Sequence, residues 1–444
     1  MEAQSQIQFR EFDFGRKLDL DIDIIAHAQS YLKTSVSKQE ESMQWMFEPY
    51  LDVMGGLIEA DENRELCIYH NFNVNPTIFN SMGLLPFSAE ALTFLSPVEY
   101  AAAYKDRASA GQIPEHLCSY LGPSIGMALS NALPKPAGIV YASHPCDSTL
   151  ATCQALSEHY GVPAFLIDAP YGDSKRDHDY FNSQIREAFQ YLEKMTGKKV
   201  KLDNLREAVK KADKAHELNY QIDELKKMKP CPLVSGGNML RIMSIAMYMG
   251  IGKESTIHWL ERVLEDVTER AGEGIGGKYE EKLRIAWLNN MPSFDPAIYE
   301  WIEERYGAKS VILQGAEETY WPTYKPERKD DYDYGFDELF RILTDQGLNT
   351  PMARQHRGHY NYYVRDCVHW CRDWDIDAAI FSGQIMCKGP WAIAQLTKEI
   401  LMDELDVPTL MFGIDPVDPR VTSAEQIIKY MEPFLDMVAE NKGL

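Results

Sequence analysis

Two cysteines in this chain sit where thiol chemistry is favoured. Cys387 lies in AAIFSGQIMCKGPWAIAQL, between the apolar run Ala378–Phe381, which reads as a strand, and a run with helical spacing. Pro390 suits a first helical turn, and Ile393, Leu396 and Ile400 make one apolar helix face. Cys146 repeats the arrangement. Ala137–Ala142 reads as a strand, SHPCD follows, and Ser148–Tyr160 reads as a helix. A thiol between a strand end and a helix start meets free N–H groups and the positive end of a helix dipole. Both favour a thiolate, the form that binds metal. Cysteine is also a common small buried hydrophobe. Its recurrence at equivalent places in two repeats favours a ligand pair.

The repeat extends beyond the cysteines. VPAFLID (Val162–Asp168) parallels DVPTLMFGID (Asp406–Asp415) as the next strand. Two α/β halves follow, each presenting a cysteine at the strand edge where open α/β sheets bind ligands. A third thiol, Cys118, lies in PEHLCSYLGPSIG, ahead of a helical run through Ile125, Leu129 and Leu133. The other five cysteines read as packing groups. Cys67 is in the strand Glu65–Tyr69, and Cys231 follows Pro230 in a connector. Cys153 shares an apolar helix face with Leu150 and Leu156, and Cys367 and Cys371 are one helical turn apart beside Val364 and Trp370. Cys118, Cys146 and Cys387 form no local CxxC signature. Converging on a cleft, they could hold a [4Fe–4S] cluster by three corners, with the fourth iron open to water, substrate or another ligand.

A net charge of −22 in 444 residues argues against nucleic acid or an anionic membrane surface as the main partner. The N-terminus has no apolar core of signal-peptide type, and no run of 18 apolar residues occurs, so no membrane segment is expected and the expected location is cytoplasmic. Eight cysteines in such a chain fit metal or redox chemistry better than a disulfide framework. Four segments are expected: an N-terminal helical extension (1–64), a first α/β domain (65–172), a helical middle region (173–282) and a second α/β domain (283–444). Within them, Leu92–Leu95 reads as a strand, Leu240–Thr268 as a long amphipathic helical stretch, and Tyr320–Tyr334 as an aromatic loop or lid. GEGIGGKY fails as a phosphate loop, because Tyr279 follows the lysine and a helix precedes it. RQHRGHYNYY (Arg354–Tyr363) reads as a solvated helix end or as a grip on an anionic ligand.

At CSYLGPSIG, SHPCD, GKYEEKLRIAW and the run from FSGQIMC through DVPTLMF to DPVDPR, the chain resembles the benzoyl-CoA reductase and 2-hydroxyacyl-CoA dehydratase family. The resemblance implies an α/β fold of two Rossmann-like parallel-sheet domains with a helical middle region. It also implies a [4Fe–4S] cluster held in the cleft by Cys118, Cys146 and Cys387. The implied partners are a related second iron–sulfur subunit, an ATP-hydrolysing iron–sulfur activator that delivers single low-potential electrons, and an acyl-CoA substrate. ATP is then used by the partner and not by this chain, in agreement with the lack of a nucleotide loop. Reductases of the family add electrons to an aromatic ring. Dehydratases expel the α-hydroxyl through a ketyl radical anion.

Two departures bear on the substrate side. Where members carry a serine-rich segment before the proline equivalent to Pro76, this chain has HNFNVNP, with Asn71 and Asn73. Where they carry a glutamate directly after a later proline, Val98 intervenes and Glu99 follows Pro97 by two. Asn73, Glu99 and His144 are the candidate polar groups of the cleft. Glu99 is the candidate proton donor; the plainer reading is a helix-start carboxylate. His144, two residues before Cys146, is placed to support a cluster ligand. Reductase is slightly preferred over dehydratase. Two other readings stand beside them. One is a reductase of small molecules with a larger, double-cubane cluster that draws on Cys153, Cys367 and Cys371. The other is a non-catalytic electron-relay subunit.

Overall fold

Eight strands among the described residues, all parallel, form two sheets of four with the same order. The computed structural model describes residues 7–314, 328–329 and 332–444, so most of the stretch read as an aromatic loop or lid lies outside the described residues. The first sheet runs β2-β1-β3-β4, with β1 Cys67–Tyr69, β2 Leu85–Phe87, β3 Gly138–Ala142 and β4 Ala164–Ile167. The second runs β6-β5-β7-β8, with β5 Leu283–Asn289, β6 Ala308–Leu313, β7 Ala378–Gln384 and β8 Thr409–Ile414. Parallel pairing needs helical crossovers that cover both faces, so central strands read as unbroken apolar runs. β3 and β7 are buried at every residue.

The strand order creates the site. From β1 the chain goes to one side to make β2, then crosses to the other side to make β3. Between β1 and β3 the helical connections diverge and leave a crevice at the carboxyl edge. The second sheet has the same crevice between β5 and β7. Cys146 and Cys387 follow β3 and β7, the strands that flank these crevices.

Two sequence readings are corrected here. Leu92–Leu95 belongs to a helix, Ala89–Leu95, and the neighbouring strand is Leu85–Phe87. Ser88 caps that helix by accepting the Ala91 N–H at 3.2 Å, a start signal that outweighs a short apolar run. The helical stretch Leu240–Thr268 is two helices, Gly236–Met249 and Glu254–Glu273. The break falls at Gly250, where a Cβ would lie 2.3 Å from Thr256 Oγ1, and at Gly252, whose φ is +85°. Glycine suits both requirements, and both disrupt a helix.

The helices between the sheets divide between the two cores. Lys175–Thr196 starts with a capping box from Ser174 and Asp177, and packs Phe181, Ile185 and Phe189 against the first sheet. Glu254–Glu273 joins the core of the second sheet, which includes Trp287 and Trp370, while Leu202–Lys226 and Gly236–Met249 bridge the cores, with Leu205, Val209, Ile245 and Met249 on the first half's side. The N-terminal segment reaches both halves. Phe9, Phe12 and Phe14 lie against the second core, while helix Ile24–Ser37 packs into the first. Arg10 fixes the crossing, its N–H donating to Asp295 Oδ2 at 2.7 Å and its guanidinium to the Phe294 carbonyl at 3.2 Å. No helix among the described residues is long and apolar enough to cross a membrane.

Candidate functional site

The Cys146 and Cys387 loops are each held by an asparagine at the end of the neighbouring strand. Asn71, just after β1, accepts the Ala142 N–H at 2.9 Å and donates to the His144 carbonyl at 3.4 Å. Asn289, the last residue of β5, accepts the Gln384 N–H at 3.1 Å. Its φ of +77° places it in the left-handed region, which asparagine tolerates better than most residues. Cys146 then starts helix Asp147–Tyr160, with the N–H groups of Ser148 and Thr149 turned toward its sulfur and Thr149 Oγ1 at 3.8 Å. Cys387 starts helix Lys388–Leu405, and its N–H donates to the Gln384 carbonyl at 2.8 Å.

Cys118 arrives by another route. It lies in the turn between helices Val98–Ala110 and Gly122–Leu129, and its carbonyl accepts from the N–H groups of Leu121 and Gly122 at 2.9 and 2.8 Å. The two helices touch so closely that a Cβ at Gly126 would lie 1.8 Å from the Tyr104 carbonyl oxygen. The second domain grips this hairpin through DPVDPR. Asp415 accepts from Ser119 Oγ at 2.6 Å and pairs with Lys105 at 2.5 Å; Asp418 pairs with Lys105 at 3.3 Å. Arg420 pairs with Asp106 at 2.7 Å and Asp418 at 2.8 Å. Across the cleft, Gln384 Nε2 lies 3.2 Å from Cys118 Sγ.

The three loops bring Cys118, Cys146 and Cys387 within electrostatic reach of one another. Burial pushes the Cys387 thiol up to about 11, with Cys146 adding to the rise and the Asn289 side chain opposing it. Burial also raises Cys118, with Cys146 adding again, and raises Cys146 against the N–H of Thr149. The helix starts therefore do not produce free thiolates, contrary to the expectation from their position, because desolvation outweighs the N–H groups. A bound metal reverses that balance by displacing the proton.

These three are the partly exposed cysteines; Cys67, Cys153, Cys231, Cys367 and Cys371 are buried. Cys153 lies inside a core of the first half, and Cys367 and Cys371 inside that of the second, which leaves a double-cubane arrangement without further thiols at the cleft. Among the described residues, no three His, Cys, Asp or Glu side chains stand close enough to hold one metal ion. A cubane binds each thiolate at a different iron, so a spread set of thiols suits it better than a single ion.

Of the other candidate polar groups, Asn73 follows β1 and His144 lies on the Cys146 loop. Asn73 is buried, and neither its side-chain oxygen nor its nitrogen has a hydrogen bond. His144 is also buried; its ring packs edge-on against Phe181 and meets the backbone of Gly347. Burial, helped by the charge of Arg357, lowers His144 to about 3 and keeps its imidazole neutral. An unpaired buried polar group costs about 1–3 kcal/mol, which marks Asn73 as a candidate for a ligand contact.

Glu99 is half-buried in the first turn of its helix, and among the described residues no hydrogen bond or ion pair joins it to the cysteine loops. A different carboxyl, Glu90, which the sequence motifs do not single out, stands closer to them. It is 6% exposed, and its Oε2 accepts the Phe72 N–H at 3.2 Å, between Asn71 and Asn73. Burial raises it to about 7, and its charge reaches Cys146. In the sequence it stands before a run read as a strand, and the one signal is its apolar setting in FSAEALTFL.

The basic run at Arg354–Tyr363 is solvated at His359 and Tyr360, while its arginines are engaged within the fold. Arg354 pairs with Asp366 at 2.7 Å. Buried Arg357 pairs with Asp173 at 2.8 Å and donates to the carbonyls of Leu348 and Gly172.

A family described as "2-hydroxyglutaryl-CoA dehydratase, D-component" matches residues 71–438. The chain is 22% identical to one of the subunits of benzoyl-CoA reductase from Thauera aromatica, over 74% of this chain and 78% of that one. It is 20% identical to the alpha subunit of lactoyl-CoA dehydratase from Anaerotignum propionicum, over 77% and 76%. The alpha subunit of (R)-phenyllactyl-CoA dehydratase from Clostridium sporogenes is 24% identical over 34% of this chain, a match spanning only 41% of that relative.

Proposed function

This chain belongs to the 2-hydroxyglutaryl-CoA dehydratase D-component family, and we propose that it is the [4Fe–4S] subunit of an ATP-dependent acyl-CoA reductase or (R)-2-hydroxyacyl-CoA dehydratase, with Cys118, Cys146 and Cys387 as ligands. The observation that supports the reading is that three partly exposed thiols lie within electrostatic reach of one another, while the other five are buried. When bound, such a cluster supplies single electrons at low potential.

The chain's own residues hold and shape the site. Asn71 and Asn289 fix the two cysteine loops, and the Asp415 clamp fixes the third. Asn73 offers an unspent amide to a bound substrate, and His144, neutral and buried beside Cys146, would support that cysteine's loop. Glu90 is the proton-handling group in this reading, since a carboxyl raised to about 7 can both give and take a proton near neutral pH. Glu99 is its alternative. Reductase remains preferred over dehydratase, because asparagines stand where the serine-rich segment is expected.

The electrons come from an ATP-hydrolysing iron–sulfur activator, and a related second subunit completes the complex, in keeping with relatives that are themselves named as subunits. A shallow hollow of about 430 Å³ lined by Ile385, Lys388, Trp391 and Ala392 lies beside Cys387 and suits transient docking of that donor. We place the complex in the cytoplasm, where thiols stay reduced.

Anaerobic purification tests the reading. Equimolar iron and sulfide with an electron paramagnetic resonance signal after reduction is expected; a chain free of both after reconstitution overturns it. The electron-relay reading draws on the same replacement of the serine-rich segment, and binding of acyl-CoA separates the two.

A further inference from the structure

We infer that Gln384 donates a hydrogen bond across the cleft to the sulfur of Cys118 and thereby helps set the reduction potential of the cluster. The inference rests on the cluster reading above and adds a role that the ligand set does not contain. Gln384 ends β7 and is 3% exposed. Its backbone is fully engaged. The N–H donates to Asn289 Oδ1 at 3.1 Å, and the carbonyl accepts from the Cys387 N–H at 2.8 Å and from Trp391 Nε1 at 3.0 Å. These bonds hold the backbone in place, and the side-chain amide reaches the first domain's Cys118.

The partner of that amide is Cys118. Nε2 lies 3.2 Å from Sγ, and Oε1 lies further off at 3.7 Å. A metal-bound thiolate carries no proton and can only accept. The nearer atom is the one that can donate, so the amide already has the orientation a ligated Cys118 requires. A donor held on a ligand sulfur stabilises the more negative, reduced cluster and raises its potential. Cys118 belongs to the first domain and Gln384 to the second, so the bond also ties the potential to the distance between the domains.

Reconstituted wild-type protein and the Gln384→Leu and Gln384→Glu variants are compared by iron and sulfide analysis and by redox titration followed by electron paramagnetic resonance. Both variants are expected to take up iron and to titrate at a more negative potential. For leucine the shift is on the order of tenfold in the oxidised-to-reduced ratio, about 59 mV for one electron, and for glutamate it is larger. Loaded variants with the wild-type midpoint overturn the inference. Wild-type protein labelled with ¹⁵N in its glutamine side chains gives an independent reading. The reduced cluster should show a ¹⁵N hyperfine coupling by pulsed resonance, and its absence overturns the inference even if the variants fold poorly. A wild-type chain that takes up no iron sinks the cluster reading itself.

Discussion

Asn71 and Asn289 do the same work in the two halves. Each amide oxygen accepts the N–H of a residue at the end of the third strand of its sheet, Ala142 at 2.9 Å and Gln384 at 3.1 Å. The repeat visible in the strands and cysteines thus extends to the side chains that hold the cysteine loops.

Replacing either asparagine by alanine should cost about 1–3 kcal/mol, because a buried N–H loses its acceptor. The two sites lie in separate halves, so the double variant should show nearly additive loss. Urea unfolding of the three proteins measures this; strong non-additivity would show that the halves do not use the asparagines independently.

Cys118→Ala, Cys146→Ala and Cys387→Ala should each lose iron after anaerobic reconstitution, while Cys67→Ala and Cys231→Ala should keep it. The contrast follows burial: the first three are partly exposed, the last two enclosed. Iron and sulfide assays decide it, and full content in any of the first three removes that residue from the ligand set.

Glu90 predicts a pH dependence of stability. Its ordinary value is 4.5 and burial raises it to about 7, so the folded chain holds its proton over a window where the unfolded chain has lost it. The wild type should therefore lose stability as pH rises from about 4.5 to 7, by up to about 3 kcal/mol, with little further change above. Glu90→Gln keeps an acceptor for the Phe72 N–H and has no proton to lose, so it should gain on the wild type across that window. Denaturant melts at several pH values test this, and parallel curves would refute it. If Glu90 handles protons in turnover, the same variant should lose most activity, while Glu99→Gln keeps it.

The clamp on Cys118 should matter for both stability and iron. Asp415 is 3% exposed and receives Lys105 and Ser119 from the other domain. Asp415→Asn leaves Lys105 with Asp418 alone, at 3.3 Å, and weakens the acceptor of Ser119, at a cost of about 1–3 kcal/mol. Thermal melts and iron assays should both register the change; an unaltered melt would mean that the domains are held by other contacts.

Turnover should need partners. The purified chain with ATP and dithionite should be inactive, and activity should appear with a second subunit and an ATP-hydrolysing activator. Acyl-CoA titrated into the loaded chain should release heat and alter its paramagnetic spectrum if the subunit is catalytic, and should leave the spectrum unchanged if it only relays electrons. Steady ATP-coupled turnover by the chain alone sinks both readings.

Local patterns in the sequence determined the α/β class, the repeated strand–cysteine–helix units and the separation of Cys146 and Cys387 from thiols on apolar helix faces. Such features depend on residues within one or two turns, so periodicity exposes them. Tertiary structure decided the rest. Whether a glutamate is solvated or enclosed depends on what packs over it, so the sequence points to Glu99 while the fold encloses Glu90. DPVDPR reads as a motif, yet its work is to hold a hairpin some 300 residues away in sequence, as the 310-residue separation of Lys105 and Asp415 shows. A helix start favours ionised thiols, and burial reverses that preference, because desolvation is summed over the whole surroundings whereas a helix start acts through a few N–H groups.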